Sequence, residues 1–530
     1  MRRWNGWGDE ATTYYLPESA GHFLESRVGK GSSIPDVTFE RAVMAVPPSR
    51  LTPYTRLSLD PADRVYHARG QSLPDWVALR QGRIEAYPDG VAYPVSDDDV
   101  RDLLAYAKRS GARLIPFGGG TSVVGHINPR PIDPPTLTVD LNHMNRLIDL
   151  DITSQLVTFE AGVCGPDLEQ QLKARGYTLG HFPQSWELST LGGWIATRSS
   201  GQQSYHYGRI EDLFAGGHTE TPQGPIDLPP LPASAAGPDL RHLLLGSEGR
   251  YGIITRAIVR VQRVPETEDF HAIFFHDWVS GATAVREIAQ AGIPVSMLRL
   301  SNSQETEVTL ALSGKDQLVS LADRGLRLFK YAKDRALLIF GVTGSKALTR
   351  FAKHEATAIA RKHGGLAVGT TIGHLWRKSR FLSPYLRNTL WEQGYALDTV
   401  ETALPWSKAE ATALAIQAAI REALQVFNEQ VLVFAHLSHV YADGASIYTT
   451  YLWRRSPDPD QTLAQWQTMK DAASQIMIAN GGTISHQHGV GVDHRPYLEA
   501  EKSAIGMQMI EAVRHQLDPD RLLNPGKLVE

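Results

Sequence analysis

Apolar positions change their period several times along the chain, and each change marks an element. Residues 1–85 are broken up by prolines and sustain no period. A regular pattern begins at Val91, Ala92 and Tyr93, a short strand. Ser96 followed by Asp99 has the spacing of a helix N-cap and its partner. Val100, Leu103, Leu104 and Ala107 then share one helical face until Gly111. The apolar run 112–117 reads as a buried strand that ends in three glycines. Strands are predicted at 137–140 and 156–160. Pro166 opens a helix with Leu168 and Leu172 on one face, and Gly176 closes it. A polar, glycine-dotted stretch covers 180–212, and 253–264 reads as one long β-branched strand.

After Pro265 the rhythm restarts. Strands at 270–275, 295–300 and 336–342 alternate with helices at 282–290 and 346–362, ended by Gly292 and by Gly364 and Gly365. Two apolar runs, 431–441 and 446–453, flank a turn at Ala442, Asp443 and Gly444 and predict a hairpin. A helix over 461–478, a loop over 481–493 and a helix over 500–516 end the sequence. The pattern is that of an α+β protein in four parts: an N-terminal segment (1–85), an α+β domain (86–265), an α/β domain (266–455) and a C-terminal helical segment (456–530).

Composition narrows the picture. The 530 residues are 42% hydrophobic and 21% charged, a globular mix that argues against disorder. The net charge is −4 and no basic run tracks a phosphate backbone, so nucleic acid is not expected as a partner. The single cysteine, Cys164, excludes an internal disulfide and a multi-cysteine metal site. No apolar run of about 18 residues predicts a membrane span. Arg2 and Arg3 are not followed by the apolar core of a secretion signal, and a cytoplasmic protein is expected. Glycine is over-used, at 46 residues against an average share of about 7%.

Much of that glycine is grouped. Pro116, Phe117, Gly118, Gly119, Gly120, Thr121 and Ser122 follow a strand, so backbone amides and two hydroxyls can approach an anion closely. No lysine follows as in a P-loop, and the order is not that of a Rossmann turn. A tight structural turn is the alternative. Further on come Gln184, Ser185, Trp186, Glu187, Leu188, Ser189 and Thr190, then Gly192 and Gly193, then Thr197, Arg198, Ser199 and Ser200. Glu248, Gly249, Arg250, Tyr251, Gly252, Ile253 and Ile254 form a third group. His486, Gln487 and His488 sit between glycines late in the chain; two imidazoles at this spacing could move protons near neutral pH. With Asp493 or His494 they also fit a zinc site, but no further ligand stands out and no metal is predicted.

The succession PFGGGTS, STLGGWIATRSSG, GSEGRYGIIT resembles the FAD domain of the vanillyl-alcohol-oxidase/p-cresol-methylhydroxylase flavoproteins, and within them the alkylglycerone phosphate synthases, over most of the chain. The resemblance implies a PCMH-type, two-subdomain FAD-binding domain with a cap domain for substrate. It implies that the three glycine-rich groups above contact FAD, held noncovalently because no attachment residue stands in the glycine loop. It further implies Tyr448, His486, His488 and Arg299 as catalytic and Arg387 as substrate-binding, with Leu382, Leu386 and Leu390 beside it as an alkyl-chain stripe. The implied reaction exchanges the acyl group of acyl-dihydroxyacetone phosphate for a fatty alcohol through a flavin N5 adduct. The partner is then a small lipid-like or phosphorylated molecule; peripheral membrane contact and a homodimer stay open. One position departs from the pattern: where the synthases carry a middle histidine, this chain has Gln487. That leaves a FAD-linked oxidoreductase of a 2-hydroxy acid or a glycerol-3-phosphate-like alcohol as the alternative.

Overall fold

The computed structural model describes residues 2–52, 54–312, 326, 331 and 333–530. Three sheets organise it. In the first, the strands stand in the order Leu57–Ser58, Gly90–Ala92, Thr136–Asp140, Arg113–Phe117, the last three parallel. Helix Asp97–Ser110 buries the predicted face, Val100, Leu103, Leu104 and Ala107. Ser96 caps its start by accepting from the Asp99 amide, and Gly111 leaves it at φ 72°.

The second sheet is antiparallel, in the order Leu147–Asp151, Leu156–Glu160, Ile253–Arg260, Phe214–Thr221, Gly224–Leu228. Strand Phe214–Thr221 is buried along its whole length, yet glycines and polar residues hide it from an apolar-period reading. The run 253–264 is not one strand. It breaks at Val261, and Gln262–Arg263 pairs with Tyr177–Thr178 instead.

The third sheet has seven strands, in the order Leu366–Ala367, Thr267–Phe275, Ala336–Gly344, Met297–Ser301, Val431–Val440, Gly444–Arg454, Tyr395–Pro405. Every pairing in this sheet is antiparallel. The helix Trp278–Gln290 does join two strands of the same sense, Thr267–Phe275 and Met297–Ser301. Ala336–Gly344 then inserts between them with the opposite sense. Helix Lys346–Lys362 and the hairpin after Val431 lie where the pattern puts them.

The N-terminal segment touches more than one part of the fold. Leu57–Ser58 extends the first sheet and Arg2 donates to the Gly119 carbonyl at 2.8 Å, but Trp7 and Trp76 pack with Trp391, Trp453 and Trp466. This tryptophan cluster ties the first residues to the third sheet and to helix Pro459–Ala479. No helix among the described residues is long and apolar enough to cross a membrane.

Candidate active site

One cavity of about 950 Å³ lies where the three sheets meet, near the upper end of the ~300–1,000 Å³ usual for small-molecule and cofactor sites. The strand Arg113–Phe117 delivers the glycine loop to its wall. A Cβ on Gly119 would stand 1.9 Å from the Leu188 carbonyl oxygen, and Gly120 adopts φ +63°, so only glycine fits both places. The carbonyls of Gly118 and Gly119 are already engaged by Asn142 Nδ2 (2.9 Å) and Arg2 Nη2. Thr121 and Ser122 continue the wall. Ser189, Thr190, Thr197, Ser199, Ser200, Glu248, Gly249, Gly252 and Ile254 line it as well, with Pro116, Phe117, Gln184 and Ser185.

Seven residues of the same motifs do not line the cavity, because only part of each stretch faces it. Trp186 stacks on Phe381 with centroids 4.8 Å apart, and Glu187 accepts from the Tyr385 hydroxyl at 2.9 Å. Leu188 packs against the tryptophan cluster. Arg198 donates to Glu211 at 3.0 Å. Arg250 is fully buried and binds the carbonyls of Leu523 and Glu530 in the C-terminal tail. Tyr251 donates to the Ile510 carbonyl, and Ile253 belongs to the core of the first sheet.

The histidine loop is held by two buried carboxylates, one from the third sheet and one from the glycine-rich turn before strand Ile253–Arg260. Glu401, 1% exposed on Tyr395–Pro405, accepts the Gln487 and His488 amides through Oε1, both at 2.7 Å. Glu248, at φ 52°, accepts the Val490 and Gly491 amides at 2.5 and 2.9 Å. His126 Nε2 lies 3.0 Å from Glu248, and its Nδ1 is 2.8 Å from Ser122 Oγ. A chain of polar contacts therefore runs from the glycine loop to the histidine loop.

His488 and Tyr448 line the cavity together, ring against ring edge at 5.7 Å. Burial holds the His488 imidazole below its ordinary range, so it is a neutral acceptor. Burial, with the Glu401 charge, pushes the Tyr448 phenol up, so it stays protonated and donates to Thr399 Oγ1 at 3.2 Å. His486 does not line the cavity. Its Nε2 receives Arg209 (2.8 Å) and contacts the Tyr441 hydroxyl (2.6 Å). Arg299 lines the cavity and is bound to Glu305 at 2.6 Å, which is also 3.0 Å from His436 Nδ1. Burial raises the Glu305 carboxyl, but Arg299 and His436 outweigh it and bring it to about 2.

Arg387 lies over the Trp76 ring at 4.3 Å and donates through Nη1 to the Gln71 carbonyl. Its Nε and Nη2 are buried and have no hydrogen-bond partner among the described residues. Of the leucine stripe, Leu386 alone lines the cavity; Leu390 is core and Leu382 is 39% exposed. The apolar wall comes instead from Met297, Leu337, Ile339, Val308, Leu375 and Phe434.

Sequence reasoning missed Glu401, Arg209, His436 and His439. The two histidines stand three apart in a strand, a spacing that normally puts side chains on opposite faces. A register shift between Leu437 and Val440 brings both to the cavity. The only signal was the pair of histidines in an otherwise apolar run.

A glycine cradle closed to any Cβ, a row of hydroxyls and a cavity of this size suit a dinucleotide cofactor, so the fold and site define a dinucleotide-binding protein. The family profile for the FAD binding domain matches residues 88–226, and that for FAD linked oxidases, C-terminal domain, matches residues 264–528. The chain belongs to the FAD-linked oxidase family, with FAD as its cofactor. It is 28% identical to the alkyldihydroxyacetonephosphate synthase of Trypanosoma brucei brucei over 571 residues, covering 99% of this chain and 92% of that protein. A solved structure of an alkyldihydroxyacetonephosphate synthase superposes with a TM-score of 0.86 at 26% identity, covering 99% of this chain and 98% of the other. p-Cresol methylhydroxylase with substrate bound shares the fold at 13% identity, with a TM-score of 0.66 over 94% of this chain and 99% of the other.

Proposed function

We propose that this chain is a FAD-dependent transferase of the alkyldihydroxyacetonephosphate synthase type, replacing the acyl group of acyl-dihydroxyacetone phosphate with a fatty alcohol. The observation that carries the reading is Arg387. One edge of its guanidinium is buried without a partner, in a cavity whose other wall is apolar. A substrate with a phosphate at one end and a long chain at the other satisfies both.

The glycine loop, the hydroxyls of Thr121, Ser122, Ser199 and Ser200, and Glu248 would hold the cofactor, without a covalent tether. Cys164 does not line the cavity, and burial pushes its thiol up to about 11, which makes it a poor nucleophile. Bound there, FAD supplies an electron-accepting ring to the reacting carbon. The side chains do the rest. Arg387 holds the phosphate, and the apolar wall takes first the acyl chain and then the alcohol. Neutral His488 accepts the proton next to the carbonyl and later returns it, and protonated Tyr448 donates to the departing carboxylate oxygen and regains the proton that the alcohol loses as it attacks. Arg299 keeps Glu305 and His436 in place along the same wall. In this reading the cradle belongs to 86–265, the substrate wall to 266–455 and the histidine loop to 456–530.

The test is incubation of the FAD-loaded protein with acyl-dihydroxyacetone phosphate and labelled hexadecanol. Ether formed with equal release of fatty acid, and no acceptor dye reduced, supports the transferase. Gln487, which takes no proton where the synthases keep a histidine, favours a second reading as an oxidoreductase. Absence of ether, with anaerobic bleaching by a 2-hydroxy acid or glycerol 3-phosphate, would establish that second reading instead.

A further inference from the structure

Gln487 lines the cavity with His488 and Tyr448. Its backbone is fixed by Glu401, and its side chain crosses to the third sheet, where Oε1 lies 2.8 Å from His439 Nε2. The other ring nitrogen of His439, Nδ1, is 3.0 Å from Ser204 Oγ and 3.3 Å from Ser200 Oγ. A serine hydroxyl donates into Nδ1 only when that nitrogen is bare, and the Gln487 carbonyl accepts from Nε2 only when that nitrogen carries the proton. The network therefore assigns one tautomer, with the proton on Nε2. The ring is also stacked on His486, at 4.9 Å and 27°, and His486 is itself gripped by Arg209 and Tyr441. Burial brings the His439 imidazole down to about 3, so it is neutral throughout the working range.

Both nitrogens of His439 are thus in use, and it has none to offer a substrate. The carboxamide nitrogen of Gln487 has no hydrogen-bond partner among the described residues.

We propose that His439 is a positioning residue: it locks the Gln487 carboxamide so that the –NH2 group is presented to the substrate carbonyl oxygen, a hydrogen-bond donor that never titrates. The inference rests on the transferase reading for the identity of that oxygen. When His488 takes the proton next to the carbonyl, the C–H bond breaks. Its electron pair forms a C=C bond and the carbonyl pair moves onto oxygen. The negative charge then develops where Gln487 donates. A preorganised donor at such an oxygen is worth about 10²–10³ in kcat. A carboxamide suits this task, while a proton-carrying role does not; the histidine whose absence Gln487 marks is replaced in position and not in chemistry.

The experiment is a double-mutant cycle on the FAD-loaded enzyme. Gln487→Ala is expected to lower kcat about 100-fold with KM for acyl-dihydroxyacetone phosphate within threefold. His439→Ala should lose nearly as much, and the double variant no more than Gln487→Ala alone. His439→Gln, which keeps a donor toward Gln487 Oε1, should recover at least tenfold over His439→Ala. Additive losses in the double variant, or a His439→Ala defect confined to KM or to flavin content, would overturn the proposal. A readout independent of turnover is 15N NMR of histidine-labelled protein. His439 should show the Nε2-protonated tautomer and lose that preference in Gln487→Leu. An Nδ1-protonated ring in the unmodified protein refutes the positioning. If no ether forms, the transferase reading fails, and the NMR arm still decides the His439–Gln487 pair.

Discussion

Glu401→Gln tests whether one carboxylate sets the histidine loop. Glu401 Oε1 accepts two amides, Gln487 and His488, each at 2.7 Å and far from bulk water. Hydrogen bonds to a charged acceptor contribute about 1.5–3 kcal/mol and neutral ones about 0.5–1.5, so neutralising the acceptor forfeits roughly 1 kcal/mol per bond. Oε2 is buried and has no partner. An amide nitrogen placed there brings a donor with nothing to donate to, which costs about 1–3 kcal/mol more. The loop should be weakened locally by about 3–5 kcal/mol, which is a loss of roughly 160- to 5,000-fold in protection. A global melting curve averages over three sheets and is a poor probe of this. Hydrogen exchange read at the Gln487 and His488 amides is the direct one. The same variant removes the charge that draws His488 upward against burial, so the His488 pKa should fall further and turnover should drop with it. Protection of both amides unchanged to within tenfold would refute the claim that Glu401 holds the loop.

Gly119→Ala places a methyl 1.9 Å from the Leu188 carbonyl, a backbone atom that cannot swing aside, so the purified variant should be colourless and fail to bind added FAD by fluorescence quenching. Arg387→Ala should raise KM for a phosphate-bearing substrate about 100-fold, the loss of a charge-assisted pair of about 3 kcal/mol, while an uncharged analogue is bound equally by both proteins. Asp493 gives a pH signature: burial raises its folded carboxyl to about 7, against about 3.9 in an unfolded chain. Between those values the folded state keeps a proton that the unfolded state has lost, so this group's contribution is full below about pH 4 and drains away as pH rises toward 7. Asp493→Asn should remove that slope and melt higher than the unmodified protein at pH 8 but not at pH 4. A Tm difference independent of pH would contradict it.

The parts of the fold that could be read from the sequence are those where one period runs unbroken between caps. Asp97–Ser110 has its Ser96 cap, four spaced apolar residues and Gly111, and Lys346–Lys362 has Ser345 and the following glycines. Strand Tyr395–Pro405 was missed, for it buries Asp398 and Glu401 where the period-2 reading wants apolar side chains. Those two carboxylates are there for the site: one anchors the loop, and the other lines the cavity and accepts from Trp466 at 2.5 Å. The site followed the same rule. The glycine groups were visible because a closed cradle demands glycine, whatever the neighbours are. His439 was not, since its place at the cavity depends on a register shift that only the paired strand imposes.

The two carboxylates on the histidine loop also explain how the groups of the proposed mechanism are held together although they come from distant stretches of chain. Glu248 belongs to the glycine-rich wall, Glu401 to the sheet that carries Tyr448 and Arg299, and the loop between them carries His488. A shift of one wall against the other must stretch one of the two grips, each made of short bonds to backbone amides. His488 and Gln487 are therefore positioned by the relation of the glycine-rich wall to the third sheet. Weakening either carboxylate should loosen the same four amides, Gln487, His488, Val490 and Gly491, beyond the pair bonded to it. Glu248→Gln is accordingly expected to raise exchange at Gln487 and His488 as well as at Val490 and Gly491. Loosening confined to Val490 and Gly491 would mean that the two grips act separately and that the loop is not a shared clasp.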